Sequence, residues 1–310
     1  MNDTAPRLSD DLIRECHHRQ SWPHAIRGAA FVVFYFIGAG GAILAAPHVA
    51  VWWQWLLLAP LYLLAAASLH GISLFTHEAV HGTLARNRWV NGISGAICAI
   101  PVLQNFSAYR VLHLRHHAHL GEDRDPDHYA AYTRWTWLIF LMNWGRLLIG
   151  YPAYITMIPI LGFKHGTKAD RAGILIEMAS TVLAVWACLS FLPAFWLLHG
   201  WLIPMLVINT MVNIRGMSQH TLLVHADDDV LGTRTILTSP VVRFFMCNEN
   251  FHLEHHLYPG VPWYHLPRVH QALHEPLAER GAHFIPSYTS FVAEFIQHSI
   301  RRSPLGRKRS

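Results

Sequence analysis

The chain has 310 residues, of which 52% are hydrophobic and only 14% charged, and its formal net charge is +5. So apolar and sparsely charged a composition excludes an ordinary soluble domain. Nucleic-acid binding is excluded too, because no basic stretch is interleaved with aromatic residues and no recognition module is present. The charge is unevenly placed: Arg7, Arg14, Arg19 and Arg27 precede or open the first long apolar run, and the tail 300–310 is basic. Arginine concentrated on one set of segments is what the positive-inside rule predicts for a membrane protein. The same basic face would suit an acidic redox partner or an anionic headgroup.

In chain order, residues 1–25 are polar and carry both signs of charge, which reads as a cytoplasmic N-terminal segment and not as a cleavable signal. A bilayer-crossing helix needs ~20 predominantly apolar residues. The first such run is 28–46 and the second 51–75, joined by the uncharged turn Pro47, His48, Val49 and Ala50, so the two form an antiparallel hairpin. Residues 89–106 are apolar but interrupted by Gly92, Gly95 and Pro101, which suits a half-buried or interfacial helix. Residues 135–160 carry Asn143, Arg146, Pro152 and Pro159. Arginine at mid-bilayer is costly, so this stretch is expected to lie amphipathically at the interface. Runs at 172–192 and 193–213 make a second hairpin, again with an uncharged turn.

The expected fold is therefore all-α and integral to the membrane: four transmembrane helices in two hairpins, interfacial helices, and a His-rich cytoplasmic cap from Leu231 onward. The whole, 1–310, reads as a single domain. Positive-inside places both termini in the cytoplasm, and Trp52, Trp53, Trp55, Trp196 and Trp201 near the turns fit an aromatic belt. Cys16, Cys98, Cys188 and Cys247 are scattered with no Cys-x-x-Cys pair, which gives neither a disulfide framework nor a thiolate metal site.

Histidine is the anomaly, with 24 copies. His77 and His81 are spaced i, i+4, on one face of a helix. His113, His116 and His117 are spaced i, i+3, i+4, and His252, His255 and His256 repeat that triplet. Each cluster follows an even number of predicted crossings, so all fall on one side of the membrane. Eight imidazoles are more than one ion accepts; two ions sharing them is the economical solution, with His220 as a candidate ninth ligand. Neutral imidazole suits Fe, Zn, Cu or Ni, so ligand type alone does not name the metal. One His-x-x-x-His pair is a weak signal, but two equal triplets beside it are a strong one. His17, His18, His24, His48, His165 and His199 read as ordinary interfacial polar residues.

Two other classes compete. His77-Glu78-x-x-His81 fits a zinc metalloprotease in which Glu78 is the general base, but that reading leaves both triplets unexplained. A metal carrier would need polar residues along the spans, where Glu177 is the main exception to apolarity.

The three boxes, THEAVHG (76–82), HLRHHAHLG (113–121) and NFHLEHHLYPGVPWYHLP (250–267), resemble in type and order those of the membrane fatty acid desaturase family with its hydroxylase and ketolase relatives. Asp125-Pro126-Asp127 after the second box and Tyr258, Pro259, Pro262 and Trp263 after the third resemble bacterial members. Arg215 to His220 resembles the segment that supplies the additional ligand, although Gln219 stands where bacterial relatives often have Glu. The resemblance implies a non-haem diiron centre, two iron ions on nine imidazoles, with dioxygen as co-substrate for attack on an unactivated C–H bond. Carboxylates normally orient such ligands; Glu78, Asp125, Asp127 and Glu254 are the candidates, with Asn248 and Asn250 as hydrogen-bonding support. Asp125 and Asp127 read equally well as a turn around Pro126.

The implied substrate is a fatty acyl or lipid chain whose polar head lies near the basic face. The sequence has no dinucleotide fingerprint, no cysteine spacing for an iron–sulfur cluster and no cytochrome-b5-like haem domain. An external electron donor, a ferredoxin, rubredoxin or cytochrome with its reductase, is therefore expected. Desaturation is the expected outcome; hydroxylation, terminal-alkene-forming decarboxylation and carotenoid ketolation would use the same centre. Only Lys164, Lys168 and Lys308 are lysines among 24 basic residues, which points to a GC-rich bacterial source and its inner membrane.

Overall fold

The computed structural model describes residues 6–128, 133–223 and 227–302. Its elements, in order, are α1 (Asp10–Cys16), α2 (Ser21–Ala45), α3 (Trp55–Val80), α4 (Arg88–Ala99), α5 (Phe106–Ala118), α6 (Thr136–His165), α7 (Lys168–Phe191), α8 (Ala194–Leu197), α9 (Ile203–His220), β1 (Arg234–Ile236), α10 (Pro240–Phe245), α11 (His252–Leu257), α12 (Leu266–Glu279), β2 (His283–Ile285) and α13 (Tyr288–Arg302).

Among the described residues, five stretches are long and apolar enough to cross a membrane: Ser21–His48, Trp52–Val80, Thr136–His165, Lys168–Phe191 and Ala194–His220. The sequence reading has four spans, and the additional stretch is the one it laid on the interface. By length and hydropathy alone Thr136–His165 qualifies, but α6 is not straight. Ile149 departs from helical geometry at φ −136° and ψ 21°. The cause is Pro152, which has no N–H for its turn and whose ring crowds the carbonyl four residues earlier.

The described chain divides into two compact units, each discontinuous in sequence. One comprises 19–112 and 151–212; the other takes the residues before Arg19, then 113–150, then those from Asn213 onward. In the first, α2 and α3 approach closely at Gly38, where a Cβ would stand 2.6 Å from the Leu61 carbonyl oxygen and 2.7 Å from the Ala65 nitrogen. Small residues allow such contact where lipid supplies no hydrophobic drive between helices. Gly38→Leu is expected to push the pair apart and cost about 1–3 kcal/mol, read as a lower unfolding midpoint in detergent. An unchanged midpoint would mean that this contact does not hold the pair.

Helix α4 turns Asn91, Gly95 and Ala99 inward and leaves Trp89, Val90, Ile93 and Ile97 exposed. At Gly95 a Cβ would meet that of Ala79 in α3 at 2.4 Å. Glu177 in α7 accepts hydrogen bonds from the Ser107 amide (2.9 Å) and hydroxyl (2.6 Å), satisfying a donor in the first turn of α5. The polar exception along the spans is therefore engaged at a helix end. Around Val102, Ala66, Leu69, Tyr151, Met205 and Ile208 close a buried core, and the Tyr151 hydroxyl donates to the Val102 carbonyl at 2.6 Å.

In the second unit β1 and β2 pair in parallel, with Arg234 opposite His283, Thr235 opposite Phe284 and Ile236 opposite Ile285. Helix α12 buries Leu266, Val269, Leu273 and Leu277 on one stripe, against Leu253 and Leu257 of α11. Asn250 is clamped to β1 twice: Ile236 N–H donates to its carbonyl (2.9 Å) and its Nδ2 donates to the Ile236 carbonyl (2.8 Å). Trp144 and Leu147 of α6 pack against Met217, Phe291 and Phe295.

Candidate metal centre

Three elements of the second unit bring histidines together. The last turns of α5 carry His113, His116 and His117, α9 ends on His220, and α11 begins at His252 and carries His255 and His256. Their Nε2 atoms converge in two sets. In one, His220 Nε2 lies 3.3 Å from that of His116 and 3.1 Å from that of His252, which lies 3.1 Å from that of His256. In the other, His117 Nε2 lies 3.0 Å from that of His113 and 3.2 Å from that of His255. His116, His220 and His256 each offer a ligand nitrogen within 4.8 Å of the others. Several ring nitrogens aimed at one point have no mutual hydrogen-bonding solution, whereas a cation satisfies them all.

The other ring nitrogens are held from outside. His116 Nδ1 is 2.9 Å from Asp125 Oδ1, and His220 Nδ1 is 3.0 Å from the Gly232 carbonyl. Both partners accept, so both rings carry their proton on Nδ1 and turn the Nε2 lone pair inward. His252 Nδ1 lies 3.1 Å from the Gln219 amide, whose Nε2 donates to Glu249 Oε1 at 3.3 Å. The donor set fits a metal that takes neutral imidazole.

Electrostatics set two of these rings apart. Burial, then the neighbouring imidazoles led by His117 and His252, hold His256 well below its ordinary pKa, so it stays neutral with its lone pair available. Burial acts to lower His116 as well, but the Asp125 hydrogen bond and the charges of Asp127 and Asp125 outweigh it and the pKa rises. Asp125 is the complement: burial acts to raise it, and the bond from His116 with the Gly121 and Asp127 amides brings it down.

Asp125 makes contacts of both kinds that the sequence suggested. Its Oδ2 accepts from Gly121 N (2.9 Å) and its Oδ1 from Asp127 N (2.9 Å), forming the turn, while Oδ1 also faces His116. The exposed Asp127 acts on His116 through its charge. Asp125→Asn is expected to keep only one of the two amide bonds of the turn and to weaken retention of the metal about 10–100-fold, measured by competition with a chelator. Unchanged retention would reduce Asp125 to a turn former.

The remaining candidates stand further out. Glu254, fully buried, accepts hydrogen bonds from Thr235 Oγ1 and His270 Nδ1. Asn248, at φ 53°, donates from Nδ2 to the Trp263 carbonyl (3.2 Å). Asn250 anchors β1 as described above.

In the first unit His77 and His81 close α3 with ring centroids 5.0 Å apart. Gly82, at φ 69°, ends the helix in the left-handed conformation, and Thr83 seals it by donating to the Glu78 carbonyl (3.0 Å from N, 2.9 Å from Oγ1) and carboxylate (2.6 Å). Burial pushes the pKa of His81 down to about 4, which keeps it neutral.

Sequence reasoning missed Glu249, Arg215, Thr235, His270 and the Gly232 carbonyl. Glu249 pairs with Arg215 in a nearly buried bridge. One signal was available: Glu249 stands three residues before His252, and Arg215 four before Gln219.

The family model described as fatty acid desaturase matches residues 50–288, a range that contains all three boxes and His220. An sn-1 oleoyl-lipid 12-desaturase of Picosynechococcus sp. is 21% identical over 89% of this chain and 82% of its own length. The dihydrorhizobitoxine desaturase of Bradyrhizobium elkanii is 27% identical over 80% of this chain and 75% of its own. The sphingolipid delta(4)-desaturase/C4-monooxygenase DES2 of Homo sapiens is 25% identical over 77% and 71%. The chain is a membrane oxidoreductase with histidine groups able to hold metal. It belongs to the fatty acid desaturase family.

Proposed function

We propose that this chain is an oxygen-dependent, non-haem diiron desaturase of fatty acyl or lipid chains. The observation that carries the reading is the inward convergence of Nε2 atoms from His116, His220, His252 and His256 while Asp125 and the Gly232 carbonyl hold Nδ1 of two of them. These four would hold one iron. His113, His117 and His255 would serve the other, and the family pattern adds His77 and His81 to the ligand set. Bound iron would supply the activation of dioxygen and the removal of hydrogen from an unactivated C–H bond. The chain's own residues fix tautomers, orient rings and exclude water: His116, His252 and His255 are all buried.

Four crossings with both termini and the centre in the cytoplasm fit this reading. His116 and His220 lie together, so an even number of crossings separates them, and α7 and α9 account for two. Helix α6 is then an interfacial stretch with a kink. Its Arg146 supports that, since Nη2 would lie 2.7 Å from a Cβ at Gly216, one turn from His220 and not at mid-bilayer. Electrons would come from a separate ferredoxin, rubredoxin or cytochrome, and the sparse lysines favour a bacterial inner membrane.

The second reading is hydroxylation on the same centre, favoured by the relative named both desaturase and monooxygenase. Metal analysis of purified protein with the His116→Ala and His255→Ala variants tests the centre. Incubation with acyl lipids, a ferredoxin system and dioxygen, followed by mass spectrometry, tests the reaction. About two irons per chain, lost in the variants, with an alkene product are expected. An alcohol product would select hydroxylation, and one zinc retained in both variants would overturn the oxygenase.

A further inference from the structure

Where α3 ends and α4 begins, the first unit has an open cleft of about 240 Å³ whose rim carries Arg19, Arg86, Arg88 and Arg110. None of its lining residues is acidic. Arg110 pairs with Asp170 at 2.5 Å and also feels the charge of Glu177, so its guanidinium has counter-charges at hand from outside the lining. Four like charges around one concavity repel one another, and an anion seated among them relieves that.

The cleft is built by specific contacts. Arg86 donates from Nε (3.2 Å) and Nη2 (3.0 Å) to the Arg19 carbonyl, tying the segment before α2 to the loop after α3. The buried Asn91 donates from Nδ2 to the Ala79 carbonyl (2.7 Å) and accepts from Ala85 N (3.2 Å), which fixes the loop's path. Asn87 caps α4 by accepting from Trp89 N and Val90 N.

We propose that this cleft binds the phosphate of an anionic membrane lipid headgroup. Guanidinium groups match phosphate oxygens in geometry as well as charge. A soluble phosphate shares that chemistry, but α4 argues for the lipid. Trp89, Val90, Ile93 and Ile97 form an exposed apolar face on the helix whose first residue is Arg88, and the Arg88 guanidinium lies 5.2 Å from the Trp89 ring centroid. An amphipathic helix of this kind lies in the interface with its apolar side among acyl chains. Arg88 in its first turn and Arg86 just before its cap are then at headgroup level. The site needs a membrane-seated chain but no metal, so it stands apart from the diiron reading.

The test uses the full chain in detergent and native mass spectrometry with dioleoyl phosphatidylglycerol against dioleoyl phosphatidylcholine. Inorganic phosphate is the third probe, and iron is measured in the same samples. The wild type is expected to retain phosphatidylglycerol preferentially, with the preference falling about fivefold for each arginine removed in Arg88→Gln and in the Arg86→Ala/Arg88→Ala pair. The Arg86→Lys/Arg88→Lys pair is expected to keep most of it. Arg88 is exposed, so the single variant reports even where the double variant unfolds. Equal retention of the two lipids by the wild type, or a preference that survives every variant, overturns the site. Phosphate binding without lipid preference overturns the headgroup assignment. Two irons with no lipid preference would leave the oxygenase standing and remove the cleft; preference without iron would do the reverse.

Discussion

Replacing His220 by alanine is expected to abolish turnover and lower metal retention by more than the ~100-fold upper range typical of partners outside the ligand shell. Its Nε2 is the shared neighbour of His116 and His252, at 3.3 Å and 3.1 Å, so its loss opens the middle of the set and not an edge. The Gly232 carbonyl that had held its Nδ1 would also lose its partner. Metal-to-protein ratio after dialysis, with circular dichroism to verify the helices, checks this. Full metal content in the variant would remove His220 from the ligands and leave the centre with the eight imidazoles of the three boxes.

The largest effect on stability is expected at a residue that touches no metal. Glu249 is 6% exposed at its side chain and Arg215 13%, and they form an ion pair. Removing one partner of a buried pair leaves an uncompensated charge, which costs ~3–5 kcal/mol. Glu249→Ala would also leave the Gln219 amide without its acceptor beside His252. The expected result is a much lower unfolding midpoint together with partial loss of metal. Glu249→Gln, which keeps a hydrogen-bonding oxygen, should recover metal binding better than stability. A midpoint within error of wild type for Glu249→Ala would mean that the pair is solvated in the working protein.

The histidine boxes were legible because their chemistry repeats at helical spacing, which no requirement of packing would produce twice. His220 was the weakest of the sequence candidates, because a single histidine at the end of a span has no pattern of its own and drew support from its place after a span and from the resemblance. Gly232 and Thr235 could not have been read, since a backbone carbonyl has no residue signature and a threonine in β1 looks like any other. Helix α6 marks the limit of hydropathy. Its length and apolarity suit a span, while Arg146 and Pro152 argue otherwise, and the contact that bears on its placement, at Gly216, is 70 residues away in sequence. The arginine cleft was illegible for a similar reason: Arg19 before α2, Arg86 in the loop after α3, Arg88 of α4 and Arg110 of α5 become neighbours only when these segments are packed.

Helix α9 ends on His220, so the last residue of a stretch long enough to cross the membrane is also a candidate ligand. A helix advances ~1.5 Å per residue, and a span adjusts to bilayer thickness by tilting or sliding. Vertical movement by even one residue's rise would carry the His220 ring out of register with partners little more than 3 Å away. A metal centre that used His220 would thereby be tied to the thickness of the surrounding membrane, which would act as a mechanical setting on its geometry.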